Sequence, residues 1–226
     1  MTNVGSASER FNARIVARRD AGGGLSWVVL LPSPKGAATY RVPGQYVEVR
    51  IDAHQASGFF ALAGPEGAGQ WDLLLRPNGG ASEALLHVPI GGHVGVSAAL
   101  GAGFPFEDAF DKSLAIVVTA GALGPALPGI ERRLREGLGD RTTLLVGTHS
   151  LAGVPAMSQL DALRERGAKV RIVLSNEVVL PHDRGYVQHQ LDAVNPEYVF
   201  VAGLAAMVDA VKEWGHRSGV SVRSNH

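Results

Sequence analysis

Apolar residues fall in two rhythms along this chain. Up to residue 97 they alternate with polar ones in short runs; beyond residue 113 they come in solid blocks separated by segments with helical spacing. The first rhythm belongs to strands with one buried face, the second to parallel strands covered on both faces. Residues 11–19 alternate through Ile15 and Ala17, and Gly22, Gly23 and Gly24 turn the chain into a second strand over 25–31, ended by Pro32 and Pro34. After a turn at Arg41, Val42, Pro43 and Gly44, residues 45–51 alternate through Tyr46, Val47, Val49 and Ile51. Further strands are predicted over 58–63, 70–76 and 93–97, with a short helix over 82–86 that has Ser82 as its N-cap. Six short strands, tight turns and one small helix predict a six-stranded antiparallel barrel.

Residues 98–111 read as a linker containing Gly and Phe. Strands predicted over 114–118, 142–146, 170–174, 198–202 and 220–222 then alternate with helices over 126–136, 155–166, 185–194 and 205–214. Met207, Val208, Val211 and Trp214 share one side of the last helix. That alternation predicts a doubly wound parallel sheet. The fold class is therefore β plus α/β, with a disordered tail over 1–10, a barrel domain over 11–108 and an α/β domain over 109–226.

The first strand–turn–helix of the second half is suggestive of chemistry. The β-branched run through Ile116, Val117 and Val118 leads into Thr119, Ala120, Gly121, Ala122, Leu123 and Gly124, then into a helix carrying Leu127, Ile130 and Leu134. Small residues let the backbone turn sharply and let a ligand come close. The helix behind them is expected to aim unpaired N–H groups at whatever sits in the turn, which is the plan of a nucleotide site.

Composition narrows the function classes. There are 21 basic and 21 acidic residues with no basic run, which argues against nucleic acid or an anionic membrane as the main partner. Without cysteine, disulfides, thiol catalysis, cysteine-ligated zinc and an in-chain iron–sulfur cluster are excluded. No two of the eight histidines form a His-x-x-x-His pair, so no metal site is expected, and no Gly-x-Ser-x-Gly pattern points to hydrolysis. The polar first ten residues lack the apolar core of a signal peptide, and no apolar run reaches membrane-spanning length; a cytoplasmic location is the expectation.

Three motifs follow one another in a meaningful order: Pro43-Gly44-Gln45-Tyr46-Val47, then the Gly-x-x-Ser-x-x-Leu of Gly79 to Leu85, then Gly203-Leu204-Ala205-Ala206-Met207. With a barrel preceding a doubly wound half, the chain resembles the ferredoxin–NADP reductase superfamily. Phe59-Phe60-Ala61-Leu62-Ala63, Leu100-Gly101-Ala102-Gly103-Phe104 and Gly185-Tyr186-Val187-Gln188 are similar to a branch of reductase-like FAD/NAD(P)-binding oxidoreductases. The resemblance implies a flavin on the barrel, FAD or FMN, with Phe60 against its ring and the backbone of Ala61, Leu62 and Ala63 along its edge. Gly80, Ala81 and Ser82 would hold its pyrophosphate. It implies NAD(P)H, as NADH or NADPH, across Thr119, Ala120, Gly121, Ala122, Gly203 and Met207, its diphosphate near the helix that starts at Pro125.

The chain also departs from the family's pattern. The family's Arg-x-Tyr-Ser/Thr aligns with Gly58, Phe59, Phe60 and Ala61, so the arginine and the hydroxyl are missing; Arg76 and Arg41 are the candidate replacements for the arginine. Its Gly-x-Gly-x-x-Pro turn aligns with Ala120 to Pro125, with alanine at both aligned glycines, and its C-terminal cysteine is Ala202. Two readings of function stay open. One is a flavin-dependent NAD(P)H oxidoreductase that passes electrons to a separate acceptor. The other is a reductase-like pseudoenzyme that has lost flavin or nicotinamide binding, or both, and serves as an interaction module.

Overall fold

The structure is a computed structural model that describes residues 9–224; the expected tail lies outside them over 1–8. The first sheet is built from β1 (Arg10–Gly22), β2 (Leu25–Pro32), a single helical turn α1 (Pro34–Ala37), β3 (Tyr46–Ile51), β4 (Ala56–Ala61), β5 (Trp71–Leu75), the helix α2 (Gly80–His87) and β6 (His93–Ser97). β1 thus takes in Arg10, the last residue of the expected tail. The strands run β4-β3-β6-β1-β2-β5, every neighbour antiparallel. The two outer strands are drawn together by a bridge between Leu62 and Leu73, with the Ala63 N–H donating to the Asp72 carbonyl at 2.7 Å. Alternation sets the faces: Trp71, Leu73 and Leu75 are buried while Asp72 and Leu74 between them are half-buried. The turn α1 was not expected. Ser33 caps it by accepting from the Gly36 N–H at 3.3 Å, and Pro34 pre-sets its first position.

The second sheet holds β7 (Leu114–Thr119), β8 (Thr142–Thr148), β9 (Lys169–Leu174), β10 (Asp183–Arg184), β11 (Tyr198–Ala202) and β12 (Ser221–Ser224). Its helices are α3 (Ala126–Arg135), α4 (Met157–Glu165), α5 (Leu191–Val194) and α6 (Ala205–Ser218). The order β10-β9-β8-β7-β11-β12 is parallel throughout. The helix expected over 185–194 is shorter. Gly185 sits at φ 114°, a 3-10 turn covers Val187–Gln190, and only then does α5 begin. The two-residue strand β10 is anchored by a bidentate pair between Asp183 and Arg171 at 2.7 and 2.9 Å.

The stretch between the sheets is packed rather than slack. Phe104 and Phe106 are buried; Phe104 stacks on Phe200 of β11 with centroids 4.6 Å apart, and Phe106 meets the same ring edge-on at 5.0 Å. Each such side chain contributes roughly 1.5–3 kcal/mol by leaving water. Arg133 of α3, with 0% of its surface exposed, reaches back under this stretch. Its Nε donates to Thr142 Oγ1 at 3.0 Å, Nη1 to the carbonyls of Ala109 and Phe110 at 3.1 and 3.2 Å, and Nη2 to that of Lys112 at 2.9 Å. The two sheets also share a core. Trp27 and Ala63 of the barrel belong to the same apolar cluster as Ile116, Val118, Leu123 and Leu127. The β1–β2 turn docks on the second half, where Ala156 N–H donates to Ala21 O at 2.6 Å and a Cβ on Gly23 would stand 2.6 Å from the Gly153 carbonyl.

The strand order reverses between β7 and β11: the chain builds outward from β7 through β8 and β9 on one side and from β11 to β12 on the other. The loops leaving these two strands face each other across that crevice. Gly203, at φ 142°, lies so close to Thr119 that a Cβ there would be 2.7 Å from its Oγ1.

Two substitutions test this account. Arg133→Met removes a donor from the carbonyls of Ala109, Phe110 and Lys112 and from the Thr142 hydroxyl, and should cost about 1–3 kcal/mol. The expected reading is a lower urea midpoint with an unchanged slope; an unaltered midpoint would contradict a structural role for the guanidinium. Gly203→Ala combines a steric conflict with strained backbone and should cost roughly 1–3 kcal/mol in the same titration.

Candidate functional site

A cavity of 580 Å³ opens between the edge of β4, the start of α2 and the loops leaving β7 and β11. It gathers Phe60, Ala61, Ala81, Ser82, Gly121, Ala122 and Gly203 from the positions expected on sequence grounds, and adds Leu74, Asn78, Pro125 and Ala202. β4 is an edge strand, so half its backbone groups look outward. Leu62 N–H donates to Gln45 O at 3.0 Å, and ladder alternation then turns the N–H and C=O of Phe59 and Ala61 away from β3, with the Ala61 carbonyl facing β5 where Leu62 and Leu73 bridge. Leu62 and Ala63 themselves are buried, and their N–H groups are committed to Gln45 and Asp72. Of the three residues expected to offer backbone to a ring edge, Ala61 alone has an amide free to do so.

The start of α2 differs from expectation in a useful way. Its N-cap is Gly79, not Ser82, and the helix begins at Gly80. Gly79 and Gly80 stand at φ 85° and 58°, a pair of left-handed conformations that glycine alone adopts cheaply, so the cap forms without a side chain. Ser82 is buried one turn in; its hydroxyl donates to Asn78 Oδ1 at 2.7 Å or to Gly79 O at 3.0 Å. No side chain caps the helix, and nothing lies within 4 Å of where a Cβ on Gly79 or Gly80 would be. Gly79, Ala81 and Ser82 line the cavity, so the start of α2 borders it, a fit for an anionic group such as a diphosphate. Gly58, at the position of the family's arginine, is sealed instead: a Cβ there would sit 2.8 Å from that of Ala81. Among the described residues, Arg76 is the only charged side chain lining this cavity. It also donates to Gly23 O at 3.1 Å, which holds it at the rim. Arg41 does not line it.

A second cavity, of 470 Å³, lies over the C-terminal ends of β7, β8 and β9. Thr119, Ala120, Gly121 and Met207 line it, joined by Gly147, Thr148, His149, Ser175, Tyr186 and Val187. His149 Nδ1 and Ser175 Oγ are 2.8 Å apart, tying the ends of β8 and β9 together. Gly121 is exposed with nothing within 4 Å of where a Cβ would stand, and with Arg76 it lines both cavities, so the two form one trough. Gly147 and Thr148 carried no signal of their own in the sequence, since a strand end is recognised as a site only once the strand order is known, whereas Val187 lies in the Gly185-Tyr186-Val187-Gln188 motif.

The turn after β7 corrects one expectation. Ala120–Ala122 is a 3-10 turn that winds on through Leu123 into α3. The N–H groups of Ala126 and Leu127 both donate to Leu123 O, at 3.0 and 3.3 Å, and both residues are buried. The start of α3 thus offers no open amides to a phosphate; the accessible part of the turn is Gly121 with half-buried Ala122.

No protein-family model matches the sequence, and no curated protein matches it. Solved structures do. The Amycolatopsis cytochrome P450 reductase GcoB superposes with a TM-score of 0.84 at 20% identity, over 96% of this chain and 69% of that one. The FAD/NAD-binding domain of nitric oxide dioxygenase from Vibrio cholerae gives 0.81 at 15% identity, over 95% and 98%. A ferredoxin–NADP+ reductase from Neisseria gonorrhoeae, with FAD and NADP bound, gives 0.78 at 15% identity, over 97% and 100%. Identities this low speak for architecture, and the chain has the ferredoxin–NADP reductase-like fold: an antiparallel barrel followed by a doubly wound parallel sheet.

Proposed function

We propose that the chain is a flavin-dependent oxidoreductase that takes electrons from a reduced nicotinamide nucleotide and passes them to a separate acceptor. The observation that carries this reading is the continuous trough. One arm runs along the free edge of β4 to the uncapped start of α2, the other over the strand ends at the β7–β11 reversal, and they meet at Gly121. That is the layout required to lay two planar groups against one another. A bound flavin would supply the two-electron chemistry, and the protein's part is alignment and electrostatics. Phe60 would lie against its ring, the Ala61 amide would meet the ring edge, and the first-turn amides of α2 would meet its phosphates. Thr119, Gly121, Gly203 and Met207 would floor the nicotinamide half. Arg76 is the cation nearest both arms. Without an arginine at Gly58, affinity for the flavin diphosphate should be lower by roughly tenfold to a hundredfold than a charge-assisted contact would give.

A second reading, a reductase-like pseudoenzyme acting as an interaction module, draws on the sealed position at Gly58 and on the committed amides of α3. One experiment separates the two. Protein incubated with FAD, or in a second arm with FMN, and then desalted should retain the flavin absorption bands; NADH or NADPH added without oxygen should bleach them. Protein that stays colourless in both arms would overturn the first reading. The nucleotide arm is tested by Gly121→Asp, a site with open space above it, where a carboxylate would repel a diphosphate. Bleaching of flavin-loaded protein should slow by about tenfold or more, the effect of roughly 1.4 kcal/mol. Equal rates in variant and parent would remove Gly121 from the nucleotide path.

A further inference from the structure

A third cavity, of 550 Å³, lies on the barrel and shares no lining residue with either arm of the trough. It opens where the first sheet comes apart. β3 and β6 are neighbours in the interior of that sheet, yet they pair only at Val49 with Val96 and at Arg50 with Gly95. Glu48 N–H donates to Ser97 Oγ at 3.0 Å, so Glu48, Arg50 and Asp52 are the β3-side residues whose backbone faces β6. The next pair in that register would be Asp52 with His93. It is not made, because at Asp52 the chain leaves the ladder for a 3-10 turn over Asp52–His54. The backbone of His93 is left facing a gap. The end of α2 brings His87 to the same gap, and the start of β1 brings Arg10. Arg10, Asp52, His54, His87 and His93, all exposed, line this one space together with the buried, apolar Val88 and Val94.

We infer that this cavity binds a small polycarboxylate, and that its histidines must be protonated to do so. His87 is already oriented: its Nδ1 lies 2.8 Å from Glu83 O, so that nitrogen donates and Nε2 stays uncommitted. Arg10 is only loosely held, with Nη2 3.4 Å from a Glu48 carboxylate that also meets Arg50 at 4.0 Å. The imidazoles do not converge on a point. Among the described residues no three His, Asp or Glu side chains stand close enough together to share a metal ion. Donors spread around a space this wide suit a ligand whose acceptor oxygens are spread as well, on a hydrocarbon frame that can lie against Val88 and Val94. Charge decides when it binds. With neutral imidazoles, Arg10 and Asp52 cancel. The surrounding groups balance too: Glu48 and Arg50 on β3, Glu83 on α2, and Arg14, the β1 partner of His93. An ordinary imidazole takes up its proton near pH 6.5, so below that pH the cavity gains as many as three positive charges and attracts a polyanion. The site stands whether or not the trough holds a flavin.

The test is a calorimetric titration with benzene-1,3,5-tricarboxylate, whose carboxylates stay ionised at about pH 6 and about pH 8 alike. The parent should bind about tenfold or more tighter at the lower pH. His54→Gln combined with His93→Gln changes two exposed side chains and should fold like the parent, while weakening binding at the lower pH by about tenfold or more. Asp52→Asn removes the opposing carboxylate and should tighten binding at the higher pH by about threefold or more. His216→Gln, on α6 and away from the cavity, should bind like the parent. Equal parent affinity at the two pH values, or equal affinity in the parent and the double variant, would overturn the inference. So would a loss in His216→Gln as large as in the double variant, since attraction would then come from bulk charge. Inorganic phosphate binding as tightly as the tricarboxylate would overturn the assignment to a polycarboxylate.

Discussion

A guanidinium removed from water must find an acceptor for nearly every N–H it brings with it, and Arg133 finds them in the backbone that joins the two halves. It uses carbonyls of Ala109, Phe110 and Lys112 together with the Thr142 hydroxyl, and no carboxylate. Carbonyl dipoles from three residues converge there because the linker coils around the side chain, so the charge and the linker conformation specify each other. The stacked rings of Phe104, Phe106 and Phe200 then weld the same stretch to β11. Everything the trough requires follows from this fixed join, since its walls come from opposite sides of it.

The trough itself is built more from backbone than from side chains. The groups that face it are the outward amide of Ala61, the uncapped turn at Gly79 and Gly80, and the flat surfaces of Ala81, Ala122, Ala202 and Gly203. Arg76 stands alone as lining charge on the barrel side among the described residues. Recognition by backbone and shape tolerates loss of the family's arginine and hydroxyl far better than recognition by paired charges would, because amides remain whatever the side chain is. Affinity would then rest on helix-start electrostatics, which are worth less per contact than a guanidinium.

Strands were legible in the sequence because burial writes directly on them. The solid run from Leu114 to Val118 and the alternation through Trp71, Leu73 and Leu75 each have one packing solution. What stayed illegible was which hydrogen bonds are already made. Ser82 looked like a cap, yet the glycine pair before it starts the helix and leaves its hydroxyl to Asn78. The turn after β7 looked like a phosphate cradle, yet a 3-10 wind through Leu123 uses up the amides of α3. In both cases residue types were read correctly and partners were not, since a partner is a property of three-dimensional closure. Phe59 is the opposite case. Its strand position was plain, but only the structure shows that it points away from the core and toward Tyr46.

Trp27 and Ala63 extend from the barrel into the apolar cluster under β7, and the β1–β2 turn is hydrogen-bonded to Ala156 beyond it. Neither half can come away without uncovering the other's interior. The molecule should therefore melt as one cooperative unit, and the trough should be incapable of the hinge-like breathing that many two-part binding clefts rely on. Ligands would have to enter and leave a gap of constant width, so the pace of exchange would be set by side chains at the rim, Phe59 and Arg76 above all, instead of by domain motion.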